Sequence, residues 1–309
     1  MFGVPPAPGS LELSEAMTSM ISRPNMNKHS VHSEVPLKRF HQLFVIAAIG
    51  GMISFGAGVA HAAHSWGAYH WARSSNPFTV KLGTNVTSQW TSFVNNSAPD
   101  WSVTSGSCNN AANPVRATVV AGSSASRKCT MVTGTVQMCN NTYGNNGWLG
   151  IASINIDANN NITKGSVKLN DTYFNTAQYN TPAWRAFVTE QEVGHTLGLD
   201  HQDVIFDNPK LLDGCGRGSC MDYTNDPTNQ GTPNQHDYDE LVTIYSHTDS
   251  YTTLAAGLPL ASASEASDVD NENQADWGRA VGFLRGRANQ FERDLGNGHK
   301  MITLVLWAE

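Results

Sequence analysis

Charged side chains are scarce in this 309-residue chain, at 15% of all residues. The formal net charge of −7 gives no electrostatic basis for binding nucleic acid, which favours basic surfaces. The sequence also lacks CxxC pairs, which weakens any case for a cysteine-based metal site, and it shows no internal repeat. Hydrophobic residues make up 40% of the chain, enough for a buried core in one large or two modest domains.

The N-terminal segment predicts export from the cell. The basic "PLKRFHQ" is followed by the apolar "LFVIAAIGGMISFGAGVA" and then by an Ala60-His61-Ala62 site of the A-x-A type. We place cleavage after Ala62, so that residues 1–62 are an N-terminal extension and signal peptide. The mature protein is then secreted or periplasmic, with no stable membrane association. An uncleaved anchor is the alternative, because residues 43–60 nearly reach the length of a membrane span.

Five cysteines are present, an odd number. Export makes disulfides feasible. Cys215 and Cys220 flank the short flexible "GRGS", and Cys129 and Cys139 flank a strand-like segment. We therefore predict the pairs Cys215–Cys220 and Cys129–Cys139 and leave Cys108 over. The sequence does not fix the connectivity, and Cys108 could displace either partner.

Residue periodicity predicts an α/β chain. Alternating or continuous apolar segments predict five strands: "FTVKLG", "VRATVVA", "GTVQMCN", "WLGIASINI" and "SVKLND". Helical spacing predicts three helices: "VTSQWTSFVNNSA", one from Pro182 to Gly198, and "NQHDYDELVTIYSH". The domains are then a main domain at 63–253, a linker at 254–276 and a small β extension at 277–309 with two strands around "GNG".

The stretch "TEQEVGHTLGLDHQD", residues 189–203, has the spacing of a metal site. Gln191 and His195 lie four residues apart and so share one helix face, with Glu192 beside the first of them. Gly198 permits a sharp turn that would bring His201 back over this face. Two histidines and a third donor could hold one metal ion and leave a position for water. Glu192 could take a proton from that water.

Two motifs resemble the metzincin family of zinc proteases. "QEVGHTLGLDH" matches the signature H-E-x-x-H-x-x-G-x-x-H at every specified position except the first, where Gln191 stands. Downstream, "SCMDY" resembles the S-x-M-x-Y form of the family's Met-turn. The resemblance covers roughly residues 66–250. It implies a twisted mixed sheet, an active-site helix and a Met-turn subdomain.

The resemblance also implies roles for single residues. His195 and His201 would bind one catalytic Zn²⁺, and Glu192 would be the general base. Met221 would support the site from below without binding the metal. Tyr223 would approach the metal or stabilise the oxyanion, although a packed tyrosine of the turn is the simpler interpretation.

Gln191 leaves several interpretations open. Its amide oxygen could bind zinc, although less strongly than an imidazole does. Alternatively, Glu192 itself is a ligand, since E-x-x-H spacing can hold a metal, and the base is then lost. A third interpretation is that no functional metal site exists. Asp203 could compensate as a ligand or accept a hydrogen bond that orients His201.

The resemblance and the signal peptide together imply a secreted zinc-dependent endopeptidase, whose substrate specificity depends on the conformation of the loop after Tyr223. We expect a monomer that acts on a protein or peptide. The alternative is a catalytically inactive secreted binding protein on the same scaffold. The segment "ITKGSVKLND" resembles the family's substrate-pairing edge strand, or is an ordinary hairpin strand. The turn "DANNNITKG" could bind Ca²⁺, but its residues lack EF-hand spacing, so a hairpin turn is the preferred interpretation. His247 and His299 have no recognisable partner.

Overall fold

The computed structural model describes most of the chain, namely residues 64–104, 112–125, 127–203, 205, 212–255 and 273–309. The predicted signal peptide with its cleavage site, most of the predicted linker and Cys108 lie outside the described residues. Within these ranges, none of the helices has the length and apolar character needed to cross a membrane.

Strands predominate over helices in the described ranges. The strands are β1 (His70–Trp71), β2 (Phe78–Asn85), β3 (Val115–Ala121), β4 (Thr135–Asn141), β5 (Trp148–Ile156), β6 (Asn161–Asn170), β7 (Arg279–Leu284), β8 (Arg287–Gly296) and β9 (His299–Trp307). The α-helices are α1 (Ser88–Asp100), α2 (Asp171–Phe174), α3 (Pro182–Thr196) and α4 (Gln235–Ile244). A short 3₁₀ turn, Gln274–Asp276, precedes β7.

All nine strands of the described ranges join one mixed sheet. The order is β3-β2-β4-β6-β5-β9-β8-β7, and β1 pairs with the start of β6. Strands β3, β2, β4 and β6 run parallel, whereas β5, β9, β8 and β7 follow in antiparallel pairs. The chain is therefore mixed α/β with a large mixed sheet and few helices, which confirms the coarse fold class.

Helix α3 begins at Pro182, as the sequence predicts, and ends two residues before the predicted Gly198. The side chain of Thr181 caps it by accepting a hydrogen bond from the backbone N–H of Trp184 at 3.2 Å, and Pro182 occupies the first turn. Its regular part ends at Thr196, and Gly198 follows with φ of 98°. A left-handed residue of this kind ends a helix at little cost only if it is glycine. Helix α3 packs against β5, β6 and α1, so most of its residues are buried.

The segment predicted as a small two-stranded extension differs in two ways. It forms three strands, β7 to β9, and β9 pairs with β5 along nearly its whole length. The run "MITLVLW" of β9 is buried on both faces, from Met301 to Trp307. A continuous apolar run of this kind is typical of an interior strand, which explains why the segment completes the main sheet.

The predicted edge strand also lies elsewhere. "ITKGSVKLND" falls in β6, which lies between β4 and β5 and is therefore interior to the sheet. The ordinary-strand interpretation fits this position. Strand β5 is paired with β6 on one side and with β9 on the other, so neither β5 nor β6 offers a free edge.

One of the two predicted disulfides is confirmed. Cys129 and Cys139 are bonded, with their Cα atoms 5.8 Å apart. The predicted Cys215–Cys220 bond is wrong, because Cys220 is a free thiol and Cys215 is bonded otherwise. The physical reason is burial: Cys220 lies fully buried in the core, whereas Cys215 lies in an exposed loop.

Candidate metal centre

Helix α3 brings Gln191, Glu192 and His195 to one buried place beneath the sheet. All three side chains are fully buried. Glu192 fits against β5 only because residue 150 is glycine, since a Cβ there would lie 2.4 Å from Glu192 Oε1. The absence of a side chain on β5 at this point therefore makes room for the carboxylate.

The turn after α3 returns the chain over the helix, as the sequence predicts. The backbone N–H of Trp66 donates to the carbonyl of Gly198 at 2.7 Å. A Cβ on Gly198 would lie 2.4 Å from the carbonyl oxygen of Tyr69, so only glycine fits this approach. As a result, the rings of His195 and His201 have centroids 4.6 Å apart.

Both histidines are held with the same ring nitrogen available. Nδ1 of His195 lies 2.9 Å from the carbonyl oxygen of Leu199, and Nδ1 of His201 lies 3.3 Å from Asp200 Oδ1. These acceptors require the proton on Nδ1, which leaves a lone pair on Nε2. Within the described residues, neither Nε2 has a hydrogen-bond partner, and both are buried. This is the tautomer of a metal-binding imidazole.

Gln191 presents its amide oxygen in the same way. Its Nε2 donates to the carbonyl oxygens of Cys220 at 2.9 Å and of Asp222 at 3.2 Å. Two acceptors on one side fix the orientation of the amide, because only its nitrogen can donate to them. The buried Oε1 is left without a hydrogen-bond partner in the described part of the chain. Gln191 thus offers the neutral oxygen that a glutamine ligand would use.

The segment Ser219–Tyr223, which resembles a Met-turn, contacts this group through Gln191. The hydroxyl of Ser219 donates to the Asp237 carboxylate and accepts from the backbone N–H of Met221 at 2.8 Å. The carbonyl of Met221 accepts from the backbone N–H of Gln202 at 2.8 Å, which ties the turn to the segment after His201. A Cβ on Gly194 would lie 2.4 Å from Met221 Sδ, so the thioether packs tightly under α3.

Tyr223 lies against His201 and contacts β8. The two rings stack with centroids 3.8 Å apart, and the Tyr223 hydroxyl accepts from Asn289 Nδ2 at 2.7 Å. Burial, and next the charge of Asp200, raise the pKa of Tyr223 well above its usual value. The hydroxyl therefore keeps its proton at neutral pH and is available as a donor.

Strand β8 covers the centre from the other side. Gln290 Nε2 donates to both carboxylate oxygens of Asp200, at 3.2 and 2.9 Å. Together with the Asn289–Tyr223 bond, this places two consecutive residues of β8 against the centre. His201 retains only 8% of its exposure, and Glu192 and His195 have none. The centre is therefore closed to solvent in this conformation.

Burial dominates the electrostatics of the centre. It raises the pKa of Glu192 well above its usual value, with the backbone of Ala152 offsetting a part of this. It lowers the pKa of His195 to about 3, aided by the neighbouring His201. Although burial opposes it, the contact with His201 lowers the pKa of Asp200 to about 2. Neutral imidazoles beside an ionised Asp200 favour a bound cation.

The aspartate in contact with His201 is Asp200, and not Asp203, which the sequence offered as a ligand or as an orienting acceptor. Asp203 accepts from the backbone N–H of Ile205 at 2.8 Å, whereas Asp200 contacts His201. Asp200 immediately precedes His201 and could have been found from that adjacency. Asn289 and Gln290 carried no signal in the sequence, because their role depends on where β8 lies.

The Asp/Asn-rich turn between β5 and β6 is held by protein hydrogen bonds. Asp157 Oδ1 accepts from the backbone N–H groups of Asn159 and Asn161, at 2.8 and 2.9 Å. Its Oδ2 accepts from the Tyr251 hydroxyl at 2.7 Å. The carboxylate is used by the turn itself, in agreement with the preferred hairpin-turn interpretation over a Ca²⁺ site.

Within the described part of the chain, three donor atoms of types that bind transition-metal ions are left without partners at this place. Gln191 Oε1, His195 Nε2 and His201 Nε2 are buried polar atoms without partners among the described residues, and such atoms are costly unless something binds them. Two imidazoles and one neutral oxygen form a ligand set that zinc accepts. Comparisons of the chain with protein-family models, with curated proteins and with solved structures find no match. Function is therefore inferred from the site.

Proposed function

We propose that this chain is a secreted zinc-dependent endopeptidase of metzincin type. The observation that supports this most is the set of three buried, unpartnered donor atoms on Gln191, His195 and His201 within the described residues. The other polar atoms of the same three side chains are fixed by hydrogen bonds or an ion pair. These contacts fix the orientation of the three side chains.

Glu192 would be the general base. A zinc ion at the site would supply positive charge that lowers the pKa of a water molecule. The same charge favours the ionised form of Glu192, against the burial that otherwise keeps it protonated. The ionised carboxylate would take the proton of the attacking water and deliver it to the leaving amine.

Tyr223 would stabilise the oxyanion. Its hydroxyl oxygen accepts from Asn289, so its own proton remains free to be donated. The stacking on His201 fixes the ring beside a ligand, where negative charge would develop on the substrate. Asn289 would thus be a positioning residue for this hydroxyl.

The test compares two isosteric changes on one helix. Glu192→Gln keeps the shape but removes the base, so we expect zinc content to be retained and hydrolysis of casein or a quenched peptide to fall by about 10²–10⁴-fold. Glu190→Gln is the matched control. Glu190 is also a buried glutamate of α3, but its carboxylate accepts from Ser97 at 2.8 Å and lies outside the proposed centre.

Activity that survives Glu192→Gln undiminished would contradict the mechanism. Equal losses in both variants would point to a general effect of altering α3 rather than to a base. Zinc content, measured on the same preparations, separates loss of the metal from loss of proton transfer.

A catalytically inactive binding protein is the second candidate, and closure of the centre favours it. Glu192 and His195 are inaccessible, and β5, which packs against α3, is paired on both sides, with β6 and with β9. A peptide cannot pair with β5 by strand addition while β9 remains in place. Stoichiometric zinc without measurable hydrolysis, in the full chain and under reducing and oxidising conditions, would support this candidate over the protease.

A further inference from the structure

We propose a second metal site, formed by His70, His247 and Asp249, that binds a divalent transition ion with zinc as the preferred one. His70 lies on β1, and the other two residues follow α4. His247 Nε2 lies 3.1 Å from His70 Nε2 and 3.8 Å from Asp249 Oδ1. His70 Nε2 lies 3.5 Å from the same Oδ1. This site is independent of the proposed protease function.

The three distances match a tetrahedral ion. Zinc binds imidazole nitrogen and carboxylate oxygen at about 2.0–2.2 Å, which sets ligand atoms about 3.3–3.5 Å apart in a tetrahedron. The observed separations of 3.1, 3.5 and 3.8 Å lie around this value. A single ion could therefore contact all three donors with shifts of a few tenths of an ångström.

Surrounding groups already orient the ligands. His70 Nδ1 lies 2.9 Å from the carbonyl oxygen of Ala68, which puts its proton there and leaves a lone pair on Nε2. Asp249 Oδ2 accepts from the backbone N–H of Arg73 and from its Nη1, each at 3.1 Å, so Oδ1 is the oxygen that faces the histidines. Arg73 Nη2 also donates to the carbonyl of His247. Such outer hydrogen bonds are what fixes the ligands of natural metal sites.

Solvent can reach this site, unlike the centre on α3. The side chain of His247 is 48% exposed, whereas those of His70 and Asp249 are 12% and 16% exposed. The ion would link β1 to the segment after α4 and keep its fourth position for water. The positive charge of Arg73 weakens the attraction for a cation, so we expect binding that is reversible on dialysis against a chelator.

The other histidine group of the described residues is a weaker candidate. His64, His236 and Asp237 also lie close enough to share an ion. However, the Asp237 carboxylate accepts from Gln202, Ser219 and the backbone of Asn234, and these bonds hold the Met-turn and the start of α4. A metal ion there would have to displace them.

The test measures zinc bound per full-length chain by equilibrium dialysis against a chelator-free buffer that contains zinc, for the wild type and four single variants. His247→Ala removes an exposed ligand without disturbing the core, and we expect it to lose one equivalent of zinc and the associated rise in melting temperature. His299→Ala, an exposed histidine on the β8–β9 hairpin, is the matched control and should bind as the wild type does. His195→Gln reports on the centre on α3.

The outcomes separate the two proposals. If both hold, the wild type binds two equivalents, and His247→Ala and His195→Gln lose one each. If only the surface site exists, the wild type binds one equivalent that His247→Ala abolishes and His195→Gln leaves in place. His247→Ala with unchanged zinc content and an unchanged melting shift would overturn the surface site. Asp249→Asn should weaken zinc binding in parallel and checks that result through a second ligand.

Discussion

At the scale of the residue, the contacts of its amide nitrogen determine which atom of Gln191 faces the proposed metal. The motif indicated a glutamine in a ligand position but left open which atom would face the metal. The carbonyl oxygens of Cys220 and Asp222 decide this, because both must face the amide nitrogen. These contacts come from a turn nearly thirty residues downstream, so the sequence around Gln191 could not have indicated them.

Gln191→Glu should therefore destabilise the metal-free protein, although glutamate is a common metal ligand. The change removes two donated hydrogen bonds and sets a carboxylate oxygen against two carbonyl oxygens, for a loss of about 2 kcal/mol or more. Urea unfolding in the presence of a chelator measures it. Gln191→Met loses the same hydrogen bonds without adding charge, so its free energy of unfolding should lie between those of the wild type and of Gln191→Glu. A metal-free Glu variant as stable as the wild type would mean that the amide faces the other way.

Glu190 should make stability depend on pH. Burial, and next the charge of Asp100, raise the pKa of Glu190 well above its usual value. Its contribution is thus fully present below the unfolded-state pKa, near 4.5, and is lost as pH rises towards the folded-state pKa. Glu190→Gln should remove this part of the decline. Denaturant unfolding between pH 5 and 8 checks it, and parallel pH profiles for both proteins would contradict the assignment.

At the scale of the element, α3 and the Met-turn are packed as one unit. Helix α3 was predictable from Thr181-Pro182 at its start and Gly198 after its end, because caps are local chemistry. The contact of Gly194 with Met221 was not, because it depends on how closely the turn approaches the helix. The five strands predicted before α3 are likewise present, but their order in the sheet is a long-range property.

Gly194→Ala should destabilise the protein even though alanine is the better helix former. Propensity alone favours alanine by about 1 kcal/mol. A Cβ at this position would lie 2.4 Å from Met221 Sδ and 2.8 Å from Trp101, and such overpacking costs about 1–3 kcal/mol. Gly214→Ala is the control, since a Cβ there meets nothing within 4 Å. Equal free energies of unfolding for both variants would show that Met221 and its turn shift to accommodate the new methyl group.

At the scale of the whole molecule, the predicted boundary between a catalytic domain and an extension is crossed by the sheet. The Asn/Asp/Ser-rich segment at 254–276 indicated a linker, and linkers usually separate domains. The strand that follows it later, β9, nevertheless contributes Ile302, Leu304 and Leu306 to the same core as α3. Composition can indicate a linker, but it cannot indicate which surfaces the linker brings together.

Unfolding should therefore be one cooperative transition for the segment 64–253 and the segment 277–309. Fluorescence and far-ultraviolet circular dichroism should give coincident curves. Hydrogen exchange gives the sharper measurement: amides of β9 should be as protected as those of β5, whereas those of the outer strand β7 should exchange sooner. A separate early transition of residues 277–309 would contradict this.

The pairing of β5 with β9 also bears on how the chain reaches its structure. Ser153 and Thr303 meet across it at 3.0 Å although 150 residues separate them. Contacts so distant along the chain form slowly, and synthesis delivers β5 long before β9. Until then β5 presents an unpaired edge, which is a template for aggregation. A chaperone would matter most to this protein in the interval between the synthesis of β5 and the synthesis of β9.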